Sequence, residues 1–221
     1  MPMLDVARRS AGLLRRLQSR YLPTRLDRIK AVHGWTREVQ LRYLMRQVRA
    51  LPDRALVVEL GVWQGRSVLA LAEACRGTGK RVVAIDPWAD YDEGGGPVSG
   101  YLTQYGVRSF EEVYQAYLAH CRRLALEEWI VTVRAPSVET ARTWSRGPVS
   151  LVFIDASHHY DAVSADLEAW VPLVRPDGVV CGDDWEWDSV RRAVQDFVAR
   201  HPGYAIELPC DNTWAFVVKP R

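Results

Sequence analysis

The sequence predicts an α/β fold built on a doubly wound, mostly parallel sheet. Three observations carry this. From about residue 55 onward, short apolar runs alternate with stretches of helical spacing. The runs stop abruptly at Gly61, Asp86, Asp155 and Gly182, as buried strands do when they feed loops. The composition is that of a globular chain: 221 residues, 48% hydrophobic, 25% charged, with 15 Gly and 12 Pro. Disorder, collagen and coiled coil are thereby excluded, and a chain of this length buries roughly 70% of its unfolded surface.

The elements follow in order. Ala55 to Leu60 reads as the first buried strand and Ser67 to Ala74 as a helix. Arg81 to Ile85 is the second strand, stopped by Asp86-Pro87. Residues 89–107 hold five glycines and Pro97 with little periodicity, which predicts a long loop acting as a lid. Phe110 to Leu124 is helical, Trp129 to Val133 a strand, and Val138 to Trp144 a short helix. Pro148 to Ile154 is the most apolar strand, Tyr160 to Val171 a helix, and Gly178 to Cys181 a strand. Ser189 to Arg200 places Val190, Ala193, Val194 and Phe197 on one helical face. Tyr204 to Leu208 and Thr213 to Val218 form a hairpin around Asp211-Asn212, adding antiparallel strands to a seven-stranded, Rossmann-like sheet.

Charge divides the chain. Residues 1–54 carry 13 Lys/Arg and 4 Asp/Glu, a local +9, whereas residues 55–221 carry a local −7. Leu4, Val6, Ala7, Leu13, Leu14 and Leu17 lie at helical spacing in the first segment. Residues 1–54 are therefore expected to form a basic helical extension on a domain spanning 55–221. It either packs on the core or on a second copy in a homo-oligomer such as a dimer, or serves as an arm for an anionic partner. No aromatic-basic interleaving or finger spacing points to nucleic acid. The four cysteines are far apart, which fits a reducing cytoplasm. The longest apolar stretch, Val149 to Ile154, falls far short of the ~18 residues of a membrane span.

In such a sheet, ligands bind beyond the carboxyl ends of the strands, where strand order reverses. The segment Glu59-Leu60-Gly61-Val62-Trp63-Gln64-Gly65-Arg66-Ser67 links the first strand to the first helix, where glycines let backbone approach an anionic ligand. Asp86, 21 residues past Gly65, ends the second strand, where a carboxylate accepts hydrogen bonds from ribose hydroxyls. Dinucleotides and S-adenosylmethionine share this layout. The loop lacks the G-x-G-x-x-G of a dinucleotide site, and the acid at Glu59 points to S-adenosylmethionine.

Val58-Glu59-Leu60-Gly61-Val62-Trp63-Gln64-Gly65 resembles motif I of class I methyltransferases, in the form of the macrocin O-methyltransferase and cephalosporin-hydroxylase-type branch. Trp63 stands where the wider superfamily carries a middle glycine. The likeness continues in Ile85-Asp86-Pro87-Trp88, Ile154-Asp155-Ala156-Ser157-His158, Pro176-Asp177-Gly178, Gly182-Asp183-Asp184-Trp185 and Arg192 to Phe197, spanning about residues 55–200. It implies that Glu59, Gly61 and Gly65 shape the pocket for the methionine end, with Ser67 near its carboxylate. Asp86 would hold the ribose with Trp88 packing nearby, and Ser137 would sit at the adenine edge.

An alcohol must lose its proton to accept a methyl group, so a general base or a divalent cation is needed. Asp155 ends one strand and Asp183-Asp184 the next, and three carboxylates at adjacent strand ends would repel without a cation. An all-oxygen set of this kind suits Mg²⁺. His158, three residues after Asp155, has the right chemistry for a base. Metal-dependent O-methyltransferases resemble this arrangement, with a metal aspartate, a base three positions on and an acidic pair after the next strand. Each residue has a plainer role open to it. Asp155 and the acidic pair suit helix caps, and His158 or its neighbour His159 suits a solvated first turn. Trp88, Trp185 and Trp187 flank the site and are candidates for stacking on a sugar. The expected activity is S-adenosylmethionine- and Mg²⁺-dependent O-methylation of a sugar or glycosylated metabolite, with His158 as base. A catechol-like phenol O-methyltransferase, a non-catalytic S-adenosylmethionine-binding protein and, less favoured, an NAD-type oxidoreductase are the alternatives.

Overall fold

The computed structural model describes residues 24–89, 102 and 105–219. Most of the expected lid and all of the apolar pattern between Leu4 and Leu17 lie outside them. The described residues form one seven-stranded sheet in the order β3-β2-β1-β4-β5-β7-β6. Its strands are β1 (Leu56–Leu60), β2 (Arg81–Ile85), β3 (Ile130–Val133), β4 (Val149–Ile154), β5 (Val174–Gly182), β6 (Glu207–Cys210) and β7 (Thr213–Val217). The first five pair in parallel, and β7 runs antiparallel to both β5 and β6. The order reverses between β1 and β4, which opens a crevice at their carboxyl ends.

Among the described residues, seven α-helices flank the sheet: α1 (Arg25–Lys30), α2 (Glu38–Ala50), α3 (Arg66–Cys75), α4 (Phe110–Leu124), α5 (Ser137–Arg142), α6 (Tyr160–Trp170) and α7 (Asp188–Arg200). Strand side chains alternate between two cores, as pleating demands. Val57, Val82, Leu151 and Phe153 face a cluster with residues of α1 to α4, whereas Val58, Leu60, Val83 and Ile154 face one with α6 and α7. Helices therefore cover both faces, as the near-continuous apolar strands require.

The described part of the N-terminal segment shares this core. Leu41, Leu44 and Val48 of α2 are fully buried in the same cluster as α3. Each such side chain contributes roughly 1.5–3 kcal/mol over an exposed position. Buried Lys80 donates to the carbonyls of Val48 and Arg49, satisfying acceptors left over at the end of α2. No helix among the described residues is long and apolar enough to cross a membrane.

Strand β5 is longer than the sequence predicts. The expected strand starts at Gly178, whereas β5 starts at Val174 and the sheet absorbs Pro176-Asp177-Gly178 as an irregularity: pairing with β4 shifts between Val149 and Leu151, Asp177 takes φ 61°, and Asp177 N donates to Val218 O.

Candidate active site

Backbone hydrogen bonds carry the sheet register past the strand ends into the loops. Gly61 N donates to Ile85 O, Asp86 N to Val133 O, Asp155 N to Leu60 O and Asp183 N to Ile154 O. The sequence-predicted residues after four strands are thus fixed side by side along one edge.

The loop after β1 bends at Gly61, which has φ 80°. A Cβ there would lie 2.1 Å from Asp155 O, so only glycine lets the β1 and β4 loops approach this closely. Gly65, at φ 93°, caps α3, and a Cβ there would meet the Tyr117 ring at 2.7 Å. Between them, Trp63 holds a left-handed conformation with φ 51°, a strained choice for a tryptophan. Two bonds retain it: Trp63 N donates to Asp86 Oδ2 at 3.0 Å, and Trp63 O accepts from Trp88 Nε1 at 2.9 Å.

Asp86 organises this loop. Its Oδ2 also accepts from Val62 N at 2.8 Å, and its Oδ1 from Trp88 N at 2.7 Å. Burial raises its carboxyl above the usual range, and these N–H bonds oppose the rise. Glu59 is fully buried beneath the loop, where Ser67 Oγ donates to its Oε1 at 2.6 Å. Its Oε2 is buried with no hydrogen-bond partner, and burial pushes the carboxyl up to about 8. Glu59 and Ser67 therefore bond each other under the loop and shape it from below.

Two expected contacts take a different form. Trp88 is 1% exposed and stacks on Tyr117, so it is a wall under the site and does not offer a face to a sugar. Ser137 opens α5 and turns its hydroxyl to Asp166 of α6, a buried acid raised to about 6 by desolvation.

The acidic end is crowded. Burial, then Asp183 and Asp184, raise the Asp155 carboxyl well above the usual range. Burial and Asp184 raise Asp183 to about 6. The three carboxylates feel one another, while Asp183 and Asp184 each bond a different neighbour. Asp183 Oδ1 accepts from Gln40 Nε2 at 2.6 Å, and Asp184 Oδ2 lies 2.8 Å from His158 Nε2. Among the described residues no group of three His, Cys, Asp or Glu side chains is arranged to hold a metal ion. The expected gathering of Asp155, Asp183 and Asp184 around one point is thus not what the side chains adopt. The donor chemistry still suits a hard cation: all are carboxylate oxygens, and their mutual repulsion favours a positive charge among them.

His158 is partly exposed and stacks on Trp187, with ring centroids 4.7 Å apart and planes at 11°. Its main chain is tied down as well, since Ser189 Oγ donates to His158 O at 2.5 Å. His159 is exposed and occupies the N-cap position of α6 without a side-chain capping bond. Trp187 is half-exposed, whereas Trp185 packs against the core. Sequence reasoning missed Gln40, and no local pattern marks it.

A family model described as a methyltransferase domain matches residues 58–185. One curated relative, the uncharacterized protein y4gI of Sinorhizobium fredii, is 28% identical over 141 residues, which is 63% of this chain. The chain spans only 14% of that relative's length. Among solved structures, cofactor-bound Rv0187 from MTB aligns with a TM-score of 0.65 at 20% identity, covering 89% of this chain and 87% of that one. The O-methyltransferase TomG from Streptomyces achromogenes, solved with SAM, aligns at 0.60 and 16% identity over 83% and 82%. The O-methyltransferase from Bacillus cereus, solved with SAH, aligns at 0.63 and 17% identity over 93% and 97%. At these identities the likeness is one of fold.

Proposed function

Since this chain belongs to the methyltransferase-domain family, we propose that it is an S-adenosylmethionine-dependent O-methyltransferase acting on a hydroxyl of a sugar or glycosylated metabolite. The observation that carries this reading is the pairing of His158 with Asp184 at the same sheet edge as the glycine loop and Asp86. The cofactor supplies an electrophilic methyl carbon when bound. The backbone of Gly61 to Gly65 receives its methionine end, over the brace of Glu59 and Ser67. Asp86 faces the ribose, and the Ser137 region borders the adenine. The SAM- and SAH-bound structures of the same fold support this placement.

His158 is the base in this proposal. A neutral imidazole that donates Nε2–H to Asp184 has its accepting lone pair on Nδ1, so the hydroxyl proton goes to Nδ1. Asp184 then stabilises the imidazolium that forms, and Trp187 fixes the ring plane. A Mg²⁺ ion, held by Asp155, Asp183 and Asp184, would lower the hydroxyl's pKa when bound. The half-exposed Trp187 supports an acceptor with a flat ring face.

The reading is tested by calorimetric titration with S-adenosylhomocysteine, followed by incubation with S-adenosylmethionine, Mg²⁺ and either methyl β-D-glucopyranoside or catechol. Product masses that gain one CH₂ support it. Methylation of catechol alone redirects the acceptor to phenols. No binding of S-adenosylhomocysteine overturns it, and turnover indifferent to chelator removes the cation from the proposal.

A further inference from the structure

We propose that Gln40 is a positioning residue of this active site, aiming the Asp183 carboxylate from the N-terminal segment; the inference rests on the functional reading above. Gln40 lies outside the stretch matched by the family model, which begins at residue 58. It is 2% exposed and reaches across the fold to the end of β5.

Its hydrogen bonds fix its own orientation first. Gln40 Oε1 accepts from Arg37 N at 2.7 Å, the reach-back of a third helical residue onto the residue before its helix. The amide nitrogen must then point the other way. It donates to Asp183 Oδ1 at 2.6 Å and to Thr213 Oγ1 at 3.1 Å. Reversing the amide would set an oxygen against a carboxylate and leave Arg37 N facing an N–H.

Asp183 is fixed in turn. Its Oδ1 takes a second bond, from Asp184 N at 2.8 Å, and its main-chain oxygen accepts from Trp214 Nε1 at 2.9 Å. Both side-chain bonds fall on Oδ1, so the carboxylate is held through that oxygen.

The residue type matters as much as the place. A neutral amide of this length satisfies Arg37 N and Asp183 Oδ1 together, which a lysine or arginine, having no acceptor, would not do. A displaced carboxylate at a reacting centre costs on the order of 100-fold in rate for a shift of about 1 Å.

The test is Gln40→Met, which keeps the volume and removes the donor, set against Leu44→Ala, which cuts a buried contact on the same helix. Turnover is measured with whichever of methyl β-D-glucopyranoside and catechol the wild-type enzyme methylates, and S-adenosylhomocysteine affinity by calorimetry. In Gln40→Met, kcat should fall about 10- to 100-fold with affinity for S-adenosylhomocysteine within about twofold of wild type. Leu44→Ala should keep its kcat below its melting temperature, although it loses more stability. Unchanged kcat in folded Gln40→Met overturns the inference, as does an equal loss in Leu44→Ala. A crystal structure of Gln40→Met with the Asp183 carboxylate unmoved overturns it without reference to activity. A wild-type protein that methylates neither probe counts against the functional reading and takes the inference with it.

Discussion

His158 Nε2 lies 2.8 Å from Asp184 Oδ2, joining the loop after β4 to the loop after β5. The pair fixes an imidazole that is otherwise partly open to solvent. His158→Ala should lower kcat by ~10²–10⁴-fold, the range of a lost general base, with S-adenosylhomocysteine affinity unchanged. Asp184→Asn should lower kcat by about 10- to 100-fold. Steady-state kinetics beside calorimetry separates the two effects. His159→Ala should stay near wild type, and the reverse ranking of the two histidines would reassign the base.

Asp86 accepts two backbone N–H bonds from the loop that would face the cofactor and a third from Trp88 N. A hydrogen bond to a charged group contributes roughly 1.5–3 kcal/mol. Asp86→Ala should therefore weaken S-adenosylhomocysteine binding by at least about tenfold, by losing both the ribose acceptor and the loop shape. Calorimetric titration reads this directly, and unaltered affinity would remove Asp86 from the binding site.

The fold was legible where local chemistry and tertiary context agree. Strand β2 and helix α4 have the predicted ends because Asp86-Pro87 and the Ser109 cap stop the chain wherever it packs. The start of β5, expected at Gly178, lies at Val174 because neighbouring strands supply bonds that no local window contains. Glu59, Gly61, Asp86, Asp155, Asp183 and Asp184 were placed on one edge by topology alone. The direction of each side chain was not. Asp183 turns to a glutamine 143 residues away, and Trp88 turns inward against Tyr117.

The carboxyls of Glu59, Asp155, Asp166 and Asp183 are all raised, chiefly by burial. An acid with a raised folded-state pKa binds its proton more tightly when folded. Its contribution to stability is complete below the unfolded value and is lost as pH rises through the folded value. The metal-free protein should therefore lose stability from about pH 6.5 to about pH 8, above the range where His33, lowered by burial, acts in the opposite sense. Melting temperatures across this interval test the sign. At about pH 8, Asp155→Asn should melt higher than wild type, by on the order of 2–4 °C for each kcal/mol of relieved repulsion, while losing turnover. A lower melting point would remove the electrostatic account of this corner.

Gly61→Ala combines a φ of 80° with a Cβ 2.1 Å from Asp155 O. The two loops must separate to admit the methyl group. Stability should fall by at least ~1–3 kcal/mol, and S-adenosylhomocysteine binding should fall with it. Thermal denaturation with and without S-adenosylhomocysteine measures both.

Strand β7 is the last of the seven in sequence, yet it sits between β5 and β6, and its Trp214 holds the main chain of Asp183. During synthesis, β5 emerges first and presents an unpaired edge until residues 213–217 leave the ribosome. The acidic pair consequently acquires its final geometry among the last steps of folding, and a nascent chain arrested before that strand would display the binding loops without a functioning centre.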